Sequence, residues 1–153
     1  MNNPKNSNSD MQQQAERIIF EHVRSWLGIQ DLERNPTILL TDAPYPRIEP
    51  DFYSKKHRIV GEIFAHVGAP KRGQHNKISN DILKMLLLDK MTGKTHRKII
   101  VVCDEKEEES LRGKSALAEC IRQFAIELRR IDLDAEIRSR IILAQEQQVM
   151  INR

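Results

Sequence analysis

The feature that most constrains the fold is the segment KIIVVC at residues 98–103, in which five consecutive apolar residues follow Lys98. Segments that are apolar at both odd and even positions form strands that are covered on both faces of a sheet. A helical pattern follows between Leu117 and Phe124, and a second strand-like segment follows at residues 126–133. A strand–helix–strand unit with such short links requires a right-handed crossover and a parallel strand pair. The chain is therefore predicted to have an α/β fold.

Amphipathic periodicity and turn residues predict the remaining elements. Apolar side chains recur at steps of three and four before Gly28, which indicates a helix and its end. Two segments rich in β-branched and aromatic residues flank a polar turn, which indicates a hairpin. Asp134 can cap a terminal helix. The predicted elements are helices at residues 11–27, about 74–91, 117–124 and 135–147, strands at 36–40, 49–53, 58–66, 98–103 and 126–133, and an acidic loop at 104–110.

These elements predict one domain with a mixed central sheet and helices on both faces. The domain is predicted to span residues 11–150, and the polar residues 1–10 are predicted to be a disordered lead-in. No apolar run approaches the roughly 20 residues needed to cross a bilayer, and the first residues lack the pattern of a secretion signal. We therefore expect a soluble cytoplasmic protein without a membrane partner.

The positive charge of the chain is concentrated in its middle third. The formal net charge is only +3, but residues 54–98 contain 11 Lys and Arg against 3 Asp and Glu. Such a segment suits a polyanion, because neutralising phosphates releases counterions. DNA is the expected partner, although a solvated basic surface gives the same pattern. The candidate phosphate-binding residues are Lys55, Lys56, Arg58, Lys71, Arg72 and Lys84.

The hairpin places two acids against each other. A turn centred on Lys56 and His57 sets Asp51 directly opposite Glu62, where like charges repel at a Cβ distance of roughly 5 Å. A raised pKa, a neighbouring Lys or Arg, or a divalent cation could each offset the repulsion. The two carboxylates and the main-chain carbonyl of Ile63 are hard oxygen ligands that suit Mg²⁺ or Mn²⁺. A shift of one residue in register would instead separate the two acids.

At these residues the chain resembles the PD-(D/E)xK nuclease superfamily, the fold of many restriction endonucleases. Pro50-Asp51 corresponds to the PD of the motif, and Glu62 corresponds to the acid on the next strand. The predicted order of elements also fits the α-β-β-β-α-β core of that family. The resemblance implies a restriction-endonuclease-like core with a C-terminal helix, in which Asp51 and Glu62 hold Mg²⁺ for phosphodiester hydrolysis.

The chain departs from the motif at Phe64, where the family pattern has lysine. A lysine at this position would orient the attacking water and stabilise the charge that develops on the phosphate. Some members of the family supply the cation from the following helix, which makes Lys77 the first candidate here. Lys71, Lys84 and His66 are weaker candidates.

Two further acids are candidates for the same site. Glu16 lies within the apolar arc of the first helix, where a carboxylate needs a partner. Members of the family bring a helix glutamate to the metal site, so the resemblance implies a third acid at Glu16. Glu49 lies two residues before Asp51 and would share its strand face.

The leading hypothesis is a Mg²⁺-dependent nuclease that hydrolyses DNA, with Asp51 and Glu62 as metal ligands and Lys77 as the replacement lysine. The alternative is an inactive DNA-binding or partner-regulating module of the same fold, which the phenylalanine at position 64 favours. A structural subunit whose acids form surface ion pairs is a third hypothesis. A homodimer is compatible with two-strand cleavage.

Overall fold

A computed structural model of the chain describes residues 4–151. In this range, five helices and seven strands alternate along most of the chain, and no helix combines the length and apolar composition that crossing a bilayer requires. The elements are α1 (Pro4–Leu27), β1 (Glu33–Arg34), β2 (Ile38–Leu39), β3 (Arg47–Ile48), β4 (Phe52–Ser54), β5 (Ile59–Phe64), α2 (Arg72–Thr92), β6 (Arg97–Val102), α3 (Glu105–Leu111), α4 (Ala116–Gln123), β7 (Glu127–Arg130) and α5 (Ala135–Ile151).

The central sheet is mixed, as predicted. Its five strands are ordered β1-β4-β5-β6-β7, and a separate two-stranded sheet joins β2 to β3. The β4–β5 pair is antiparallel, whereas β5–β6 and β6–β7 are parallel. The predicted parallel pairing of the buried apolar strand with the following strand is therefore confirmed.

The predicted register of the hairpin is also confirmed. Phe52 faces Gly61 and Tyr53 faces Val60, which is the pairing that a turn centred on residues 56 and 57 requires. Gly61 is essential to this pairing, because a Cβ atom there would lie 2.0 Å from the Phe52 ring and 2.7 Å from the carbonyl oxygen of Ile99. A side chain at position 61 would therefore require both the Phe52 ring and the main chain at Ile99 to shift.

The first helix is longer than its apolar periodicity predicts. It begins at Pro4 instead of Met11, so residues 4–10 of the predicted disordered lead-in are helical. Proline suits the first turn of a helix, because its missing N–H would have no intrahelical partner there. Residues 1–3 lie outside the described range. The predicted end of the helix is confirmed, since Gly28 adopts a φ of 66° and its N–H donates to the Arg24 carbonyl at 2.9 Å.

Three further predictions need correction. The acidic residues after β6 form helix α3, because the Asp104 side chain caps it by accepting a hydrogen bond from the Lys106 N–H at 3.1 Å. The predicted strand at residues 36–40 pairs only with β3, and β1 takes the outer position of the central sheet. Helix α5 continues beyond Gln147 to Ile151.

Helices cover both faces of the sheet and divide the core into two clusters. On one face, Ile19 and Val23 of α1 and Ile141 of α5 pack against the sheet residues Ile63 and Val101. On the other face, residues from α2, α3 and α4 pack against a second set of strand residues. This second cluster includes Val60, Phe64, Ile78, Ile82, Met85, Ile100, Val102, Leu111 and Ile121.

Candidate functional site

The acid pair lies where β4 and β5 separate. Asp51 directly precedes β4, and the register of the pair continues to place it opposite Glu62 of β5. The Asp51 carboxylate Oδ2 accepts a hydrogen bond from the Ile63 N–H at 2.7 Å, and the Asp51 carbonyl accepts one from the Asn35 N–H at 3.0 Å. Both the side chain and the main chain of Asp51 are therefore held by neighbouring strands.

Pro50 explains why the strand ladder ends at this acid pair. In the continued register Pro50 lies opposite Ile63, and proline has no N–H to donate to the Ile63 carbonyl. The N–H and C=O of one strand residue point to the same side, so the Ile63 carbonyl points towards the side that holds Asp51. The two carboxylates and this carbonyl form the set of oxygen atoms that the sequence predicts.

Glu62 is buried, with only 6% of its surface exposed. Burial raises the pKa of its carboxyl well above the ordinary value, and the charge of Asp51 and a hydrogen bond between the two carboxyl groups raise it further. The positive charge of Lys77 partly opposes this rise. Burial and the neighbouring charge of Asp51 therefore both disfavour the ionised form of Glu62.

Lys77 of α2 meets Phe64 of β5. The Lys77 ammonium lies 5.4 Å from the centre of the Phe64 ring, which is within the range of a cation–π contact. Its charge also acts on Glu16, whose pKa is raised by burial and then by Asp51. The lysine that the motif places on the strand is absent, and an ammonium from the neighbouring helix lies over the phenylalanine that replaces it.

Glu16 of α1 approaches this cluster from the other helix. It is half-buried, and the Gln12 side chain donates a hydrogen bond to its Oε1 at 3.4 Å. The charges of Asp51 and Lys77 both act on it. Glu49, by contrast, is exposed and contacts Thr37 at 3.4 Å and Arg47 at 3.9 Å, so it is not part of the cluster.

Asp81 of α2 belongs to the cluster and was not among the predicted residues. Its charge acts on Glu62, and the charges of Lys77 and Asp51 act on it. The sequence did carry a signal, because Asp81 falls in the apolar arc formed by Ile78 and Ile82. A carboxylate in the apolar arc of a helix needs a partner, and this argument applies to Asp81 as it does to Glu16.

A cavity of about 160 Å³ adjoins the cluster. Phe64 and Lys77 form one side of it, and side chains of α1 and α5 form the other. It is smaller than the roughly 300 Å³ of a typical pocket for a drug-sized ligand. The cavity continues into a larger groove between the 66–68 loop and α5. The residues common to both are His66, Gln74, Gln145 and Gln148.

His66 does not serve as the replacement cation. Burial, and then the positive charge of Lys71, lower the pKa of its imidazole below the ordinary value of 6.5. Its Nδ1 lies 4.0 Å from the Glu107 carboxylate and has no hydrogen-bond partner in the described part of the chain. His66 is therefore predominantly neutral at pH 7 and faces Glu107.

The basic residues fall into two groups. Lys71, Arg72 and Lys84 lie on or next to α2, and the Lys84 ammonium is 3.8 Å from Asp81. Lys55, Lys56 and Arg58 lie at the hairpin tip, at the opposite end of β5 from Glu62. Arg58 and Glu62 are four residue steps apart along the strand, a distance of about 13 Å. The tip residues therefore do not border the acid pair.

The oxygen atoms of the acid pair and of the Ile63 carbonyl are of the type that binds a hard divalent cation. Carboxylate and carbonyl oxygens are the ligands that Mg²⁺ and Mn²⁺ prefer, and Mg²⁺ commonly takes only one or two carboxylates and completes its shell with water. Among residues 4–151, however, no group of three or more His, Cys, Asp or Glu side chains is arranged to hold a metal ion. The fit therefore rests on Asp51, Glu62 and the Ile63 carbonyl, without Glu16 as a direct ligand in this arrangement.

Comparisons of the chain with protein-family models, with curated proteins and with solved structures give no match. The functional argument therefore depends on the geometry of the site.

Proposed function

We propose that the protein is a metal-dependent nuclease that hydrolyses phosphodiester bonds in DNA. The observation that carries this proposal is the position of the Lys77 ammonium, 5.4 Å from the centre of the ring of Phe64. It brings a cation from α2 to the strand position that needs one for catalysis. The acid pair, in which Glu62 is buried and Asp51 is half-buried, supplies the other half of a phosphoryl-transfer site.

Each residue of the site has a distinct role in this proposal. Asp51, Glu62 and the Ile63 carbonyl would hold Mg²⁺ or Mn²⁺, which when bound supplies charge neutralisation at the phosphate and a more acidic water. Lys77 stabilises the negative charge that grows on the phosphate oxygens. Lys71 and Arg72, at the start of α2, bind neighbouring phosphates and orient the DNA strand.

Substitution of the site residues tests the proposal. Asp51→Asn, Glu62→Gln and Lys77→Met are expected to reduce cleavage of plasmid and linear DNA, assayed with Mg²⁺ or Mn²⁺, by about 100-fold or more each. Glu109→Gln and Lys90→Met are matched controls, because both side chains are exposed and distant from the acid pair. Retention of cleavage by Asp51→Asn and Glu62→Gln would contradict the proposal.

An inactive DNA-binding module is the second candidate function. Phe64 in the lysine position and the two-carboxylate donor set favour it. In this case the wild-type protein binds DNA without cleaving it in either metal, and Lys71→Gln with Arg72→Gln weakens binding. Titration calorimetry with Mn²⁺ separates the two candidates further, because the nuclease requires cation binding that Asp51→Asn abolishes.

A further inference from the structure

The cavity beside the acid pair opens into a larger groove between the 66–68 loop and α5. The groove has a volume of about 890 Å³, which falls within the roughly 300–1,000 Å³ of typical ligand sites. It is continuous with the cavity, because His66, Gln74, Gln145 and Gln148 line both. A ligand in the groove would therefore extend into the cavity and reach the candidate site.

Side chains of α5 hold both walls of the groove in place. The Gln145 side chain accepts a hydrogen bond from the Val67 N–H and donates one to the Val67 carbonyl, both at 3.0 Å. Arg138 forms an ion pair with the buried Asp104 at 2.6 Å. The groove is therefore pre-formed, and a ligand would not have to order its walls on binding.

Helix α5 turns apolar side chains towards this groove. Arg138, Ile142, Gln145 and Val149 recur at steps of four, three and four residues, which places them on one face of the helix, and all four line the groove. Ile142 and Val149 are 37% and 41% exposed. Single exposed apolar residues are common on protein surfaces, but these two line one concave surface, as in a site for a partly apolar ligand.

Polar groups complete the lining. Lys71, exposed at the start of α2, brings a positive charge, and Gln148 brings an exposed amide. Glu146 also lines the groove, so its positive charge is partly offset. Apolar contacts for a flat face, an amide for hydrogen-bonding edges and one cation for a phosphate together match the parts of a nucleotide.

We propose that the groove holds unpaired nucleotides of the DNA strand that is cleaved at the acid pair. This inference rests on the proposed function for the identity of the cleaved bond. A base lies against Ile142 and Val149, Gln148 contacts its polar edge, and Lys71 binds the adjoining phosphate. Bases paired in a duplex are stacked inside it and cannot enter such a groove. The substrate class is therefore DNA with a single-stranded segment next to the cleaved bond.

Fluorescence anisotropy in EDTA tests the inference without cleavage. The probes are a labelled hairpin duplex with a single-stranded thymidine tail and the same hairpin with a blunt end. Ile142→Asn with Val149→Asn is expected to weaken binding of the tailed hairpin about tenfold and to leave binding of the blunt hairpin unchanged. Leu143→Asn is the matched control, because Leu143 is a 55% exposed residue of the same helix that lies outside the groove lining.

A tail of abasic sites separates base contacts from phosphate contacts. The wild type is expected to bind this tail as weakly as the Ile142→Asn, Val149→Asn variant binds the thymidine tail, whereas Lys71→Gln weakens binding of both tails. Equal affinity of the wild type for tailed and blunt hairpins would overturn the inference, as would equal losses from the groove variant and Leu143→Asn. A DNA-independent dimer that sedimentation shows only for the wild type would assign the groove to a second copy and overturn it too.

The cleavage assay separates this inference from the proposed function. If the tail preference depends on Ile142 and Val149 and the wild type cleaves no DNA with either metal, the nuclease function fails and the nucleotide groove stands. If the wild type cleaves DNA and the groove variant binds tails as the wild type does, the groove assignment fails and the nuclease function stands.

Discussion

Several side chains in this protein are buried although their chemistry favours water. Glu62, Asp81 and Glu107 are each at most 6% exposed, and burial raises the pKa of all three. The charge of Lys77 acts on both Glu62 and Asp81, so the free-energy cost of burying these two carboxyl groups falls at the candidate active site. Glu107 has both carboxylate oxygens without partners among the described residues and lies apart from that site, facing His66.

Moving the lysine back to the strand tests the role of Lys77 directly. Lys77→Met is expected to lower the cleavage rate about 100-fold. Adding Phe64→Lys to this variant is expected to raise the rate about tenfold. The reason is that the ammonium already lies over the Phe64 ring, so a lysine from β5 can reach the same place. Cleavage kinetics are the measurement, and Phe64→Leu with Lys77→Met is the control. Equal activity of the two double variants would show that position 64 cannot supply the cation.

Glu107 predicts a pH dependence of stability. Burial, and then the charge of Asp104, raise its pKa from the ordinary 4.5 to about 8. The protonated carboxyl therefore stabilises the fold fully below about pH 4.5, and this contribution is lost as the pH rises through 8. Glu107→Gln is expected to unfold with a free energy that is a few kcal/mol higher than that of the wild type at pH 9.

Denaturant unfolding of both proteins between pH 5 and 9 measures this difference. Glu109→Gln, an exposed residue of the same helix, is the control. The difference between the wild type and Glu107→Gln isolates Glu107, because the pH-dependent contributions of Glu62 and His66 are common to both proteins. A wild-type minus Glu107→Gln difference that is the same at every pH would show that Glu107 does not titrate in this range.

At the scale of the elements, two contacts hold the site-bearing strands and helix in place. The Phe52 ring crosses Gly61 between β4 and β5 and so sets the register that opposes the two acids. At the other end of α2, the Asp89 carboxylate accepts a hydrogen bond from the His96 main-chain N–H at 2.9 Å, and the same oxygen lies 2.8 Å from the His96 Nδ1. Asp89 also forms an ion pair with the buried Lys98. The second contact ties α2 to the beginning of β6.

Gly61→Ala is expected to destabilise the protein by about 3 kcal/mol or more, because the new methyl group overlaps both a ring and a main-chain oxygen. Gly73→Ala is the matched control. A Cβ atom at position 73 in α2 meets nothing within 4 Å, so alanine there is expected to stabilise by about 0.5–1 kcal/mol. Denaturant unfolding measures both. Tolerance of alanine at position 61 would mean that the Phe52 ring can move aside.

Asp89→Ala is expected to cost about 3–5 kcal/mol, because it leaves the Lys98 ammonium buried without its carboxylate partner. The side chain of Lys98 is only 6% exposed, so water cannot replace that partner easily. Adding Lys98→Met should recover most of the loss in denaturant unfolding, since it removes the uncompensated charge. A double variant as unstable as Asp89→Ala alone would assign the cost to the His96 hydrogen bonds instead.

At the scale of the whole molecule, the candidate phosphate-binding residues form two separate areas, and only one of them lies near the acid pair. Lys71 and Arg72 lie at the start of α2 near the cavity, whereas the hairpin tip lies about 13 Å from Glu62 along β5. Phosphates on one DNA strand are about 3.4 Å apart along the duplex axis. In the proposed nuclease, a DNA strand that follows β5 would therefore bring phosphates roughly four nucleotides from the cleaved bond to the tip residues.

The two areas are expected to respond differently to the length of the DNA. Lys71→Gln with Arg72→Gln should weaken binding to both a six-nucleotide strand and a long duplex. Lys55→Gln with Lys56→Gln should weaken binding to the duplex alone and should reduce its salt dependence by about one unit of slope for each lost phosphate contact. Fluorescence anisotropy across a salt series is the measurement. An unchanged slope after substitution of the tip residues would exclude them from the DNA interface.

Local periodicity and turn chemistry were sufficient to predict the α/β class, the parallel strands, the end of α1 and the register that opposes Asp51 to Glu62, because each depends on residues close together in the chain. The helical form of residues 105–111 was not predicted, since a helix of seven residues depends for its stability on Leu111 packing into the core. The sequence also showed that position 64 lacks a lysine and suggested Lys77 as the replacement.

Only the tertiary structure decided that Lys77 lies over Phe64, that Asp81 joins the cluster and that the basic hairpin tip is remote from it. These contacts join segments from different helices and strands, and their distances are set by how α1 and α2 pack against the sheet.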